Sequence, residues 1–588
     1  MRIKQLNLRR SQAPHDALIN SNIHETHDII LIQEPWINAL GKISASSKWR
    51  VVYPTSHLSL EDRIRATILV NANISTNNWH QVDITDTNDL VAIQLDGPFG
   101  IATIINIYND QNYSTTLTRS DTALTDIKNN VPALPPLREH YIVWAGDFNR
   151  HHPRWDEERN RQLFTAKAMD ESQYLIDITD EHHLDMALPK DIPTVETQPN
   201  SNWTRIDNVF LSTNAMEVLV RCTTLPEERG PCMDHVPIDT VLDLPIIRTP
   251  PPISFNFRAT DWERFTDTLA HRLTRLPPPG RIVTERVFHK RVTAVMTALS
   301  ETVEQDTPKS KPVPHSKRWW NKDLEALRKV KNRLNSVSYR FRHDRHHPSH
   351  AQLRDARNEF TDAIRNAKQS HWENFLEETG DDTLWTAAKY IDSPVAGEGG
   401  AKTRIPTLHT KSQDRETHTA RTNEDKARVI GDSFFPPPPA NTSVPPNYRY
   451  PKPVAYKPKF TREQIRRTIG KLSPYKAPGP DGIPNVVFKK CADVLLDHLY
   501  YIYNATLQND FFFPAWLESL SAVIRKPGRK AYDIPKSYRP IALLNRIAKI
   551  YTALVAEDIT TLAEQHKLLP NCHFGGRPGR RQPTRCTS

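Results

Sequence analysis

The stretch YIVWAGDFN, Tyr141 to Asn149, decides the architecture of the first part of the chain. Its short apolar run, with β-branched and aromatic residues, reads as an interior strand. Gly146 permits a tight turn, and Asp147 and Asn149 follow at the strand end. A polar side chain placed there stands on a rigid support, as a ligand or catalytic group requires. DIILIQEP, Asp28 to Pro35, repeats the design, with Glu34 at the tip of an apolar run.

Outward from these two, similar short runs fill the chain from Ile3 to Leu244: WRVVYP, ATILVN, LVAIQL, GIATIINIY, IDNVFLS and IDTVLDL, separated by Asn, Asp, Gly and Pro. Helical segments are expected near His15 to Glu25, Leu117 to Ile127 and Arg161 to Leu175. The pattern predicts an α+β fold over residues 1–246, a four-layer α/β-sandwich of two packed β-sheets flanked by helices.

Other strand ends carry the same kind of residue. Asn7 closes the first strand and Tyr108 closes GIATIINIY; WTRIDNVFLS puts Asp207 at a strand start, and CMDHVPI sets Asp234 and His235 just before another. Taken singly, an Asp or Asn beside a strand is most often a turn former, and a single His is most often an ordinary hydrogen-bonded group. Taken together, strand ends that deliver only Asn, Glu, Tyr, Asp and His offer oxygen donors for a hard cation and groups able to move a proton.

In order, QLN, QEP, NIY, GDFN, RIDNVF and DH resemble the endonuclease/exonuclease/phosphatase superfamily, with spacing most similar to the endonuclease domain of non-LTR retrotransposons. The resemblance implies a Mg²⁺-dependent DNA endonuclease, with Mn²⁺ as an alternative ion, that nicks a target and leaves a 3′-hydroxyl. It implies that Glu34 binds the metal, with Asn7 and Asp234 completing or flanking the site. Asp147 would position or deprotonate the attacking water, assisted by Asn149. His235 would sit on the scissile phosphate, paired with Asp207, and Tyr108 would hydrogen-bond the phosphate. Whether His235 is a general base or a charged donor stays open, as does the same question for Asp147. Arg9 stands where many members of the superfamily carry an acidic residue, which leaves the number of metal ions open. Two other readings are a non-catalytic nucleic-acid-binding remnant of a retroelement and a phosphoesterase acting on a small phosphorylated molecule.

Proline-dense segments, Thr249 to Pro252 and Leu276 to Gly280, break the chain after this domain. Residues 247–395 are expected to be a mainly helical linker region. Within it, apolar residues recur at three and four places between Trp320 and Phe375, which predicts a basic helical hairpin. Residues 396–459 read as a polar, proline-rich flexible linker. From Phe460, KAPGPDGIP, AVIRKPGRKAYDIPKSYRPIALLN and LLPNCHFGGRPGR resemble the opening motifs of a non-LTR reverse transcriptase, so residues 460–588 are expected to be the fingers part of a truncated copy. Lys526 and Arg539 would face template or nucleotide. The palm aspartates that hold the polymerase metals are absent from this stretch, so no reverse transcriptase activity is expected.

The 588 residues imply about three or four domains. A formal charge of +10 favours a polyanionic partner such as nucleic acid, and the resemblance implies a DNA target first and element RNA second. Five cysteines without a CxxC pair support neither a zinc module nor a disulfide framework. With no signal-peptide pattern and no apolar run near the ~18 to 20 residues of a membrane span, an intracellular location is expected, in the nucleus by resemblance.

Overall fold

The computed structural model describes residues 1–38, 41–57, 63–136, 138–197, 202–249, 254–309, 319–377, 405–411, 417–437, 445, 447–449, 452–454, 456, 458–526, 529, 532–570 and 577. Strands β1 (Arg2–Asn7), β2 (Ile29–Gln33), β3 (Trp49–Val52) and β4 (Ala66–Asn71) open the chain. They are followed by β5 (Trp79–Val82), β6 (Leu90–Gly97), β7 (Gly100–Tyr108), β8 (Glu139–Asp147) and β9 (Leu184–Met186). Then come β10 (Val195–Thr197), β11 (Asn202–Thr204), β12 (Asp207–Ser212), β13 (Leu219–Thr224) and β14 (Ile238–Leu242). Two six-stranded sheets form, in the orders β13-β14-β1-β2-β4-β3 and β5-β6-β7-β8-β12-β9. The pairs β1–β2 and β7–β8 are parallel.

Side chains alternate between the two faces of each sheet, as strand geometry demands. On β8, Tyr141, Val143 and Ala145 enter the core between the sheets, while Ile142 and Trp144 face the other way. On β2, Ile29 and Leu31 point inward and Ile30 and Ile32 outward. The outer face of the second sheet is covered by α3 (Thr115–Asn130) and α4 (Ala166–Glu181), through Leu117, Leu124 and Leu175. The outer face of the first packs with α1 (Gln12–Asn20) and α2 (Ile23–Thr26), through Leu18 and Ile23. Residues 1–246 therefore form the four-layer sandwich that the strand pattern predicts.

Two expected helices take a different form. The segment near His15 to Glu25 is split into α1 and α2, because Ser21 is extended and its hydroxyl bonds back to the Leu18 carbonyl at 2.6 Å. The segment near Arg161 to Leu175 is a 3₁₀ turn, Glu158–Leu163, and then α4, whose start is capped by the Thr165 side chain accepting from Ala168 N.

After the short α5 (Thr213–Glu217), the helices α6 (Trp262–Thr274), α7 (Glu285–Asp306), α8 (Lys322–Arg340) and α9 (Ser349–Glu377) do not form one linker region. Contacts divide the chain into a first unit of Met1–Pro251, Pro312–Ser433 and Lys526–Ser537, and a second of Pro252–Lys311, Phe434–Arg525 and Tyr538–Ser588. The expected segment 247–395 is thus shared between units. The reason lies in its apolar stripes. Phe265, Leu269, Phe288 and Val292 of α6 and α7 bury in one core with Phe488, Leu495 and Tyr503 of the second unit. Trp320, Leu324, Phe360 and Ile364 of the hairpin α8–α9 instead bury with Ala17 of α1.

Part of the stretch expected to be a flexible linker is also ordered. β15 (Leu408–Lys411) pairs with β16 (Thr417–Ala420), followed by a helix at Asn423–Phe434, and Leu408, Ala420 and Ile430 are buried. A few apolar residues at strand and helix spacing suffice here in spite of the polar composition. Residues 396–404 and 412–416 lie outside the described residues. No helix among the described residues is long and apolar enough to cross a membrane.

Two expectations follow from this packing. Gly146 pairs with Ile107 in the parallel β7–β8 ladder, and a Cβ at Gly146 would lie 2.0 Å from the Ile107 carbonyl oxygen. Because the obstacle is backbone, Gly146→Ala should destabilise the sandwich by at least about 1–3 kcal/mol in urea unfolding. The second concerns Lys331 on α8, which is 2% exposed and whose ammonium is lowered to about 7, first by burial and then by Arg357 and Arg328. In the unfolded chain a lysine titrates near ~10.4, so between these values the unfolded state binds more protons and stability rises with pH. In thermal melts, the stability of the full chain relative to that of its Lys331→Met variant should rise from about pH 7 to pH 10.

Candidate active site

Strand register brings the polar tips together. Tyr108 pairs with Asp147 across β7–β8, and Asp207 pairs with Asp147 across β12–β8. On the first sheet Asn7 pairs with Gln33, so Glu34 follows next to the turn that leaves Asn7. The Asp147 tip is held rigidly. Phe148 is buried against Trp144 and Phe210 at ring distances of 4.9 and 5.2 Å, and its amide donates to the Ile206 carbonyl.

Side chains then join the two sheets. Asn7 Nδ2 donates to Asp147 Oδ2 at 3.0 Å, and Gln5 Nε2 reaches Asp207 Oδ1 at 3.4 Å. His235 lies in the segment before β14, bridged to Val195. Its Nδ1 is 2.8 Å from Asp207 Oδ2, and its Nε2 is 3.9 Å from both Asp147 Oδ2 and Asp234 Oδ1. Asn149 donates its amide to Asp147 Oδ1 at 3.1 Å and its Nδ2 to the Asn109 carbonyl at 2.7 Å. Asn7, Asp147, Asn149, Asp207, Asp234 and His235 are therefore linked directly. Glu34 and Tyr108 stand at the adjoining tips, close enough for the Glu34 and Asp147 charges to act on the Tyr108 phenol.

The backbone is bent into left-handed conformations at these tips: φ is 44° at Glu34, 50° at Asn149, 51° at Arg9 and 53° at Arg10. Such residues cost roughly 1–3 kcal/mol each and persist where surrounding bonds hold them. Here the Asn7 side chain accepts from Arg9 N at 2.8 Å, and the Glu34 carbonyl accepts from Arg10 N at 2.8 Å.

Electrostatically the group is a buried cluster of acids around one imidazole. Burial opposes a charge on His235, but the Asp207 carboxylate, aided by Asp147 and Asp234, raises its pKa to about 9. Burial, and then the Asp207 charge, raise Asp147 to about 8. Burial, then Glu34 and Asp147, push the Tyr108 phenol well above its ordinary value, so it is a neutral hydroxyl. The Arg65 guanidinium lies over the Tyr108 ring at 5.0 Å.

The donor set fits a hard divalent cation. Asp147 is a fully buried carboxylate whose ionised form a cation would favour, and Asp234 Oδ1 is buried without a hydrogen-bond partner. Ligand atoms of Asp147, Asp207 and His235 lie within 4.8 Å of one another. Glu34, Asn7 and Asp234, the ligands that the resemblance implies, are not in that trio. Two of these residues are instead met by cations that the motifs did not mark as part of the site. Arg10 Nη2 is 2.8 Å from Glu34 Oε1, and Arg9 Nε is 3.4 Å from Asp234 Oδ2. Their place two and three residues after Asn7 was the available signal. Gln5 opens the QLN motif but carried no assigned role, and Arg65 and Asn109 had no signal, because only the sheet register brings them in. Lys526 and Arg539 are not part of this group: Lys526 Nζ bonds the Lys536 carbonyl, and Arg539 is exposed on β18 (Tyr538–Leu544), which pairs with β17 (Ser519–Arg525).

Residues 102–239 match a protein family described as endonuclease-reverse transcriptase. The probable RNA-directed DNA polymerase from transposon BS of Drosophila melanogaster is 35% identical over 117 residues, 20% of this chain and 13% of that protein. The RNA-directed DNA polymerase from the mobile element jockey of the same species is 23% identical over 469 residues, 74% of this chain and 46% of that protein. The chain thus spans less than half the length of these relatives. Among solved structures, the endonuclease domain of TRAS1, a telomere-specific non-LTR retrotransposon, aligns at 20% identity and TM-score 0.31 over 41% of this chain and 98% of that one. The AP endonuclease LMAP from Leishmania major aligns at 14% identity and TM-score 0.33 over 42% and 88%. Residues 102–239 thus match the endonuclease-reverse transcriptase family, and parts of the chain are similar to the RNA-directed DNA polymerases of these mobile elements.

Proposed function

We propose that the sandwich of residues 1–246 is a divalent-metal-dependent DNA endonuclease that nicks one strand and leaves a 3′-hydroxyl able to prime reverse transcription. The observation that carries this reading is the buried contact of Asn7, Asp147, Asp207 and His235 at the meeting edge of the two sheets. A polyanionic substrate suits the formal charge of +10, and the attached reverse-transcriptase sequence favours DNA over a small phosphorylated molecule. Element RNA is then a second partner, and the nucleus the place of action.

In this reading Glu34, Asn7 and Asp234 hold Mg²⁺, or Mn²⁺ in its place. When bound, the ion polarises a phosphate oxygen as a Lewis acid. Asp207 accepts from His235 Nδ1, which orients the ring and leaves Nε2 facing Asp147 and Asp234. Because the acids raise the His235 pKa, the ring acts as a charged donor to the phosphate. Asp147 is left to accept the proton of the attacking water, with Asn149 holding that carboxylate through its amide. The Tyr108 hydroxyl donates to a phosphate oxygen, and Arg9 and Arg10, each about half exposed, stand ready to turn from their carboxylates to the DNA backbone.

On supercoiled plasmid, the full chain should nick with Mg²⁺ and stop with EDTA. Glu34→Gln and His235→Ala should each lose on the order of 10² to 10³ in rate while keeping the folded circular-dichroism spectrum. Excess Mg²⁺ should restore part of the Glu34→Gln activity and none of the His235→Ala activity, since only the first substitution weakens the hold on the cation. Wild-type nicking by His235→Ala would refute the mechanism and favour a nucleic-acid-binding role.

A further inference from the structure

We propose that the hairpin α8–α9, outside the nuclease sandwich in sequence, is a brace that positions Asp234 and His235; the inference rests on the nuclease reading above. Lys331, Asn335 and Tyr339 recur every four residues and so share one face of α8. Lys331 Nζ and Asn335 Nδ2 both donate to the Arg229 carbonyl, at 2.6 and 2.8 Å. From α9, Arg357 Nη2 donates to Asn335 Oδ1 at 2.9 Å and orients that amide.

Arg229 passes the constraint on. Its Nε donates to the Met233 carbonyl at 2.8 Å, and its Nη1 to Glu196 Oε2 at 2.5 Å. Glu196 in turn gives its amide to the Asp234 carbonyl at 3.0 Å. The segment on the other side of His235 is held as well. Val236 N donates to the Thr194 carbonyl at 2.7 Å, Tyr339 OH donates to the Pro193 carbonyl at 3.1 Å, and the Tyr339 ring meets Trp203 edge-on at 5.0 Å. These bonds connect α8 to the Asp234–His235 peptide through Arg229 and through residues 193–196.

The arrangement differs from plain packing. Placing a lysine ammonium where it is 2% exposed is costly, and an apolar side chain would fill that space at less expense. What an apolar side chain lacks is a donor for the Arg229 carbonyl. Lys331, Asn335 and Arg229 are thus positioning residues, and His235 depends on them to stay within reach of the phosphate. A misplacement of about 1 Å at such a group costs up to about a hundredfold in rate.

The test uses the full chain with Lys331→Met and Asn335→Leu combined, which removes both donors and keeps the apolar side chains of Trp320, Leu324 and Phe360. Single-turnover nicking at saturating plasmid, DNA affinity, and amide hydrogen exchange over residues 225–236 are measured. The expected result is a rate lowered ten- to a hundredfold, unchanged DNA affinity and faster exchange in 225–236, without faster exchange in β7 and β8. Wild-type turnover in the double variant, or loss of affinity in place of turnover, overturns the proposal. Should the double variant fold poorly, Lys331→Met alone, which leaves the Asn335 donor, is judged by the same readouts with a smaller loss expected. If the wild-type chain nicks in no metal, the nuclease reading fails, and unchanged exchange over 225–236 then separately rejects the brace.

Discussion

The hydrogen bond from Asn7 to Asp147 joins the two sheets at the edge where all the chemistry gathers. One partner ends the first strand of one sheet, and the other ends the central parallel strand of the second. Apolar packing between the sheets is non-directional and tolerates sliding; a buried carboxylate bonded from both sides does not. Gln5 to Asp207, and Asn106 Nδ2 to the Ile32 and Thr67 carbonyls at 3.0 and 2.8 Å, repeat the cross-sheet tie deeper in the sandwich. These buried polar links register one sheet against the other, and the positions of Glu34, Tyr108, Asn149 and His235 follow.

That registry concentrates negative charge where water is excluded. Asp147 and Asp207 flank His235, and the imidazolium they favour is one local compensation for them. Arg9 and Arg10 supply two more at the rim, and both come from the turn that Asn7 begins. The rim cations and a bound metal are alternative partners for the same carboxylates. Arg9, where many members of the superfamily that the motifs resemble carry an acid, therefore changes the charge of the rim while leaving the oxygen donors in place.

The two units are built from interleaved parts of the chain. Helices α6 and α7 complete the core of the second unit, and α8 and α9 pack with the first. A cut at residue 246 would therefore leave Ala17 without the cover of Phe360 and Ile364, and the Arg229 carbonyl without its donors. In chain order the helices look like a connection between domains. In space each pair belongs to whichever unit its apolar stripe can cover.

By itself the sequence determined the strands, their two-faced alternation and the residues at their tips, because each is a local property: period two along YIVWAGDFN or DIILIQEP, and a polar group where the apolar run stops. The ordered motifs also carried the nuclease resemblance before any contact was known. Helix breaks at Ser21 and between Leu163 and Ala166 were not legible, since a single side-chain hydrogen bond or cap decides them. Only the tertiary structure decided that Arg10 meets Glu34, that Arg65 covers Tyr108 and that Lys331 reaches Arg229, 102 residues earlier in the chain. Such pairings depend on which sheet edges and helix faces adjoin after collapse, and no periodicity within one segment records its neighbour from another.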